Sequence, residues 1–217
     1  MVNKNSIREM YELQKDLNDK TNGEKWKKSG ITREGRVIDW NRCIYMEVAE
    51  GIDSLNWKHW AHISKKDDID NLKIEMVDTW HFIMSEHIRK ASLDKAIDEA
   101  TEGLINCGAK KFPTMLEGLE AVMLKSLQKQ LPLYDFFKLV NTIPDFSMND
   151  VYKLYIGKNC LNAFRQINGY KEGEYQKIWD GQEDNVYMKS IVENTNNLSY
   201  DILYEALLEK YTEVISA

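Results

Sequence analysis

The sequence predicts an all-α protein, and three observations carry that prediction. Helix-compatible residues dominate its 217 positions, and prolines are confined to Pro113, Pro132 and Pro144. Apolar residues recur at helical spacing, three and four apart, along most of the chain. The stretches so patterned are bounded by capping residues, by glycines or by the prolines themselves. A hydrophobic content of 43% is enough to build a core and argues against disorder. The length favours one domain spanning residues 1–217.

A first helix is expected from Ser6 to about Lys20, with Ser6 and Glu9 as a capping box. Its apolar stripe is Ile7, Met10, Leu13 and Leu17; Gln14 and Asn18 lie beside it and, on spacing alone, read as exposed amides. Residues 21–37, with Gly23, Gly30 and Gly35 among many charges, read as an irregular connection anchored by Trp26. Asp39 is a natural N-cap for a helix reaching about Ser54. Gly51 in that helix is a poor helix former, which points to close approach of a neighbouring helix or a ligand. Trp57 and Trp60 are expected on one helical face, in the core.

The next helix runs roughly from Asn71 to Arg89. Another follows from Ser92 to Cys107, with Gly108 as its stop. Pro113 is expected to open a helix that Pro132 ends, and Leu133–Thr142 forms a short helix closed by Pro144. Residues of about 89–144 carry no polar constellation and read as scaffold or subunit-interface helices; the family likeness given below would make them accessory or dimer-interface helices. Ser147 and Asp150 start a helix to about Asn168 that carries Lys158, Asn162 and Arg165 along one side, by itself a pattern that also fits a solvated face. The stretch after it concentrates Gly169, Gly173 and Gly181 with Tyr170, Lys171, Lys177 and Asp184, as a phosphate clamp or lid does, although no Walker signature is present. Ser199 is expected to cap a last amphipathic helix.

The net charge of −6 argues against a general binder of nucleic-acid polymers. Cys43, Cys107 and Cys160 are scattered without CxxC spacing, as reduced core or near-core thiols are. The stretch MVNKNSIREMYELQ lacks the apolar run of a secretory signal, and no segment approaches the ~20 apolar residues of a membrane helix. A soluble, intracellular, cytoplasmic protein is expected.

Two acidic pairs stand out: Glu47 with Glu50, and Glu75 with Asp78. Each is spaced i, i+3, which on a helix places both carboxylates on one face. Both are set among apolar residues, and the nearest cations, Arg42 and Lys73, do not balance four acids. Facing helices carrying these acids would repel unless a cation lies between them, and oxygen-only ligands suit Mg²⁺ or Mn²⁺. Asp78-x-x-His81 superficially matches half of a di-iron site, but the only other acid–histidine neighbour, Glu86-His87, has the wrong spacing.

The motif Glu47-x-x-Glu50, 24 intervening residues, then Glu75-x-x-Asp78 resembles the all-α NTP pyrophosphatases, and more closely the dimeric dUTPases of that superfamily. The closer likeness rests on LQKDLN (13–18), RCIYMEVAEGIDSLNWKHW (42–60), IEMVDTWHFIMS (74–85) and YIGKNCLNAFRQINGYKEGEYQKIWDGQEDN (155–185), in the family's order. The resemblance implies a helical bundle with a four-helix metal-binding core and accessory helices. Glu47, Glu50, Glu75 and Asp78 would hold two or three Mg²⁺ ions, with Mn²⁺ as a substitute, and Glu50 would orient or deprotonate the attacking water. Lys158, Asn162, Arg165, Tyr170 and Lys177 match phosphate-contacting positions. Gln14, Asn18, Trp57, His81 and the backbone of Phe82 would read uracil and deoxyribose, which reverses the reading of the two amides as exposed. The implied activity is hydrolysis of dUTP, and of dUDP, to dUMP by a homodimer, limiting uracil in DNA. The alternatives are a pyrophosphatase for another nucleotide such as dCTP, and a non-catalytic helical nucleotide-binding protein.

Overall fold

The computed structural model describes residues 2–195 and 200–216 and is built almost wholly of helices. It divides into two compact units, Met1–Tyr152 and Lys153–Ala217. No helix among the described residues is long and apolar enough to cross a membrane.

The first unit contains α1 (Lys4–Asn22), the single-turn α2 (Trp26–Ser29), α3 (Trp40–Asp53), α4 (Ile69–Lys90), α5 (Leu93–Cys107), α6 (Met115–Leu127), α7 (Leu133–Thr142) and the start of α8 (Met148–Ile167). Several caps are those the sequence predicts. Asp39 accepts from the Arg42 N–H, Ser92 from the Lys95 N–H, and the Asp150 carboxylate binds both N–H and O–H of Ser147. The start of α1 differs. Asn3, not Ser6, is the N-cap and accepts from the Asn5 and Ser6 N–H groups, while Glu9 is drawn off by the Tyr152 hydroxyl at 2.6 Å. Thr114 caps α6, so Pro113 precedes the cap, and Pro132 is the N-cap of α7 rather than the end of α6.

The core of this unit lies where α4 meets its neighbours. Trp80 is fully buried, stacks on Phe136 at 5.1 Å, meets Phe137 at 5.6 Å and takes the edge of Tyr11 at 6.0 Å. α3 packs along both α4 and α6, and Gly51 makes this possible: a β-carbon there would sit 3.1–3.3 Å from Met76, Leu72 and Leu119. A polar clamp joins α1, α4 and α5: the Tyr11 hydroxyl and the Glu99 carboxylate bind the two ring nitrogens of buried His87, each at 2.8 Å. Beside it Glu86 is buried; desolvation alone would raise its carboxyl, but bonds from Arg89, Lys90 and Asn41 hold it below the usual range. The three cysteines are free thiols, and burial pushes Cys43 up to about 11 and Cys160 up to about 12.

Trp57 and Trp60 are not core residues. α3 stops at Asp53, and residues 55–68 form a non-helical loop closed by Asp68 N–H to Ser54 C=O and by the Asp67 carboxylate on the Asn56 N–H. On that loop the two indoles meet edge to face at 6.0 Å and remain 44% and 67% exposed.

The second unit holds the rest of α8, a short antiparallel hairpin of β1 (Ile178–Trp179) and β2 (Gln182–Glu183), α9 (Asp184–Asn194) and α10 (Tyr200–Ser216). Asp180 and Gly181 both take positive φ, the two-residue turn that suits hairpin twist. No helix is expected from the sequence between 185 and 199, so α9 is an addition. Its close packing depends on Gly157 of α8, where a β-carbon would fall 2.6 Å from the Met188 sulfur and 2.7 Å from Val192. The centre of this unit is aromatic: Trp179 lies 5.6 Å from Tyr211 and 5.8 Å from Tyr187, with Phe164 and Tyr175 around it. The cap expected at Ser199 falls outside the described residues.

Candidate functional site

In the first unit α3 and α4 present their acids to one another. Glu47, Glu75 and Asp78 each offer a carboxylate oxygen, and these oxygens lie within 4.8 Å of one another. Glu50 is not part of that group. It is exposed and lines a cleft of about 330 Å³ with Asp53, Ser54, Lys65, Asp68 and Asn71. Of the cations next to the acids in the chain, Arg42 turns to the Tyr45 hydroxyl at 3.2 Å and to Asp39 at 3.8 Å, and Lys73 lies over the Phe146 ring at 5.8 Å. Burial, reinforced by the charges of Asp78, Glu75 and Glu50, pushes the Glu47 carboxyl up to about 8. A carboxyl in that state holds a proton that a cation can displace. The donor set is all oxygen and convergent, so it fits a hard divalent ion such as Mg²⁺ or Mn²⁺.

One turn further along α4 lies a polar network in an otherwise apolar interface. Gln14, Asn18, His81 and Ser85 are all buried. The Gln14 Oε1 can only accept, so the proton of its 2.7 Å bond to His81 sits on Nδ1. Gln14 Nε2 donates to Ser85 Oγ at 3.0 Å and to Asn18 Oδ1 at 3.3 Å, and Asn18 Nδ2 donates to Ser85 Oγ at 2.9 Å. Ser85 Oγ in turn donates to the His81 carbonyl at 2.8 Å. The two amides are therefore interior groups, not a solvated edge. Ser85, four residues after His81 on the same face, is the member that spacing could have revealed. Phe82 is half-buried and stacks on Trp40 at 5.9 Å. Trp57 stays on its exposed loop, where its ring contacts among the described residues are Trp60 and Lys58.

In the second unit Lys158, Asn162 and Arg165 share one side of α8. Arg165 is buried and grips fully buried Asp184 with two bonds, Nε to Oδ2 at 2.8 Å and Nη2 to Oδ1 at 2.6 Å. It also donates to Oδ1 of Asn162 at 3.2 Å and of Asn185 at 3.3 Å. Lys158 Nζ donates to the same Asn185 oxygen at 3.0 Å. Tyr175 completes the cluster by donating to Asp184 at 2.8 Å, and burial with that bond drives its phenol far above its usual range. Half-exposed Tyr170 has its ring 5.9 Å from the Arg165 guanidinium, and exposed Lys177 pairs with Glu183 at 3.2 Å. Tyr175 and Asn185 join this constellation through tertiary packing.

A family model described as dUTPase matches residues 6–170. No curated protein matches the chain. The matched span holds the four acids, the amide network and the cationic side of α8. The chain belongs to that family, the all-α dimeric dUTPases, and is a dUTP diphosphatase.

Proposed function

Taking that membership as the premise, we propose that the protein hydrolyses dUTP and dUDP to dUMP with Mg²⁺, two or three ions bound and Mn²⁺ a substitute, at a site built on Glu47, Glu50, Glu75 and Asp78. The observation that carries the proposal is the Glu47–Glu75–Asp78 cluster, three carboxylates on adjoining helices whose oxygens converge within 4.8 Å. When bound there, the metal supplies positive charge for the phosphate oxygens and lowers the pKa of a coordinated water. Glu47, Glu75 and Asp78 are its oxygen donors. Glu50 lies on the solvent side and takes the proton of the water that attacks phosphorus.

Lys158, Asn162, Arg165, Tyr170 and Lys177 form the phosphate-binding set and stabilise the charge that develops on the leaving group. Gln14, Asn18, Trp57, His81 and Phe82 read uracil and deoxyribose. A buried amide offers both a donor and an acceptor to the uracil edge, which cytosine would leave mispaired. To engage the base, Gln14 exchanges its 3.3 Å bond to Asn18. Residues 1–217 act as one catalytic domain in a cytoplasmic homodimer, with residues of about 89–144 as accessory or interface helices, and the reaction limits uracil in DNA while supplying dUMP.

The test is a panel of ribo- and deoxynucleoside di- and triphosphates, with and without Mg²⁺, assayed for product. Turnover confined to deoxyuridine nucleotides and dependent on metal is expected; equal turnover of dCTP would overturn the substrate assignment. Glu50→Gln should bind nucleotide and lose turnover, and near-normal turnover would remove Glu50 from its role.

A further inference from the structure

The connection between α1 and α3 encloses a pocket of about 460 Å³, lined by residues between Asn22 and Arg33, that the proposed hydrolysis leaves unused. The segment around it closes on itself: the Thr32 N–H reaches the Arg36 C=O at 2.8 Å, and the Ile38 N–H reaches the Gly30 C=O at 2.9 Å. Trp26 is fully buried and fixed, its indole N–H donating to Asp19 at 2.8 Å, and with Ile31 it supplies the apolar wall.

Asn22, the last residue of α1, is 9% exposed and lines this pocket. Gln14 and Asn18 lie two turns and one turn earlier on the same face of α1, and their amides are bonded to one another and to Ser85. The Asn22 amide has no hydrogen-bond partner among the described residues. A buried amide left without a partner is costly to a fold, and a ligand in the pocket would supply one.

The groups around that amide are donors. Arg33 lies across Gly23, where a β-carbon would fall 2.8 Å from its Cγ and Nε. The guanidinium makes a single long bond, Nη2 to the Asp19 C=O at 3.4 Å, and neither Arg33 nor Lys25 has a carboxylate partner among the described residues. Thr32 Oγ1 accepts from the Arg36 N–H at 3.3 Å and keeps its own proton to donate. The carbonyl end of α1 would repel an anion, but the Asp19 C=O is already covered by Arg33 and by the Gly23 N–H at 2.9 Å. Glu24 is the one acid of the lining, and residues 20–36 hold six cations against two acids in a chain of net charge −6. Such a local excess draws anions.

We infer that this pocket is a binding site for a small organic anion, a carboxylate or phosphate ester on a compact apolar body. Its oxygens accept from Asn22 Nδ2, Arg33, Lys25 and the Thr32 hydroxyl, and its body lies against Trp26 and Ile31. The site stands whether or not the proposed hydrolysis does.

Calorimetric titration of the full chain tests it, in metal-free protein so that no ion at the carboxylate cluster attracts the probe. Phenyl phosphate, benzoate and neutral benzyl alcohol are the probes. At least one of the two anions should bind one to one, the tighter naming the class of head group, and benzyl alcohol should not bind. Arg33→Ala and Asn22→Leu should each weaken the anion about tenfold or more, the loss of one hydrogen bond to a charged group. Absence of saturable binding by both anions, or equal binding of benzyl alcohol, would overturn the site. So would binding that both substitutions leave unchanged, since the anion would then be held by cations elsewhere in the chain. Melting temperatures give an independent check. Asn22→Leu removes an amide that makes no bond in the fold, so the unliganded variant should melt at or above the temperature of the native chain; a clear fall, or failure to fold, would show that the amide serves the fold rather than a ligand.

Discussion

The two charged clusters of this chain are opposites in how their charges are settled. On α3 and α4 three carboxylates converge, and burial together with the charges of Asp78, Glu75 and Glu50 pushes the Glu47 carboxyl up to about 8. Around Asp184 the buried charges are matched: the carboxylate is shared between a guanidinium and a phenol, and the guanidinium is spent almost to its last N–H. The first gathers like charges whose mutual repulsion a bound cation would relieve. The second has its opposite charges already joined within the chain, so its geometry is set before any ligand binds. The two clusters differ in the sign of the charges they bring together, and their energetics differ with it.

Substitutions sharpen this contrast. The largest effect is expected at Asp184: Asp184→Ala leaves the Arg165 charge buried and unpaired and should cost about 3–5 kcal/mol in urea unfolding. A loss below about 1 kcal/mol would show that the cluster is not settled in this way. Next, Glu75→Gln should lower turnover about 10²–10³-fold, as removal of one preorganised charge-stabilising group does. In metal-free protein above pH 8, Glu47→Gln should raise the melting temperature slightly, because it removes one of the repelling charges; a clear fall would break the comparison from the other side.

A third prediction concerns pH. The folded-state value of Glu47, about 8, lies above its ordinary 4.5, so the folded protein holds the extra proton between them. Metal-free stability should therefore decline as pH rises from about 4.5 to 8 and level off above, a slope visible in thermal melts. Added Mg²⁺ or Glu47→Gln should flatten it. The smallest effect is expected on the loop of residues 55–68, where Trp57→Ala should change stability by less than about 0.5 kcal/mol. Its effect on KM for dUTP then reports base recognition alone.

Much of the fold could be read from the sequence because helix ends are local. Ser92 with Gly108, Asp39, and Ser147 with Asp150 act within four residues of their own helix end. The acids could be read for a related reason: the absence of nearby basic residues is itself a sequence pattern. What escaped reading depends on partners distant in the chain. The burial of Gln14 and Asn18 is set by Ser85, 71 and 67 residues away. Trp57 and Trp60 fit a helical face by spacing, but the helix ends before them. The Asp180–Gly181 turn between Trp179 and Gln182 is a recognisable hairpin signal that the surrounding glycines and charges obscured. Arg165 pairs with Asp184 only once the hairpin has turned the chain back.

The aromatic centre of the second unit has a practical consequence. Of the six tryptophans, Trp26, Trp40, Trp57, Trp60 and Trp80 precede Lys153, and Trp179 is the single indole that follows it. It is fully buried, with Tyr187 and Tyr211 within 6 Å and Tyr175 at 6.4 Å, near enough for those phenols to transfer excitation to it. A chain in which the other five are replaced by phenylalanine would carry one intrinsic fluorophore, seated beside the Arg165–Asp184 pair through Tyr175. Its emission would track loosening of that unit without an attached dye.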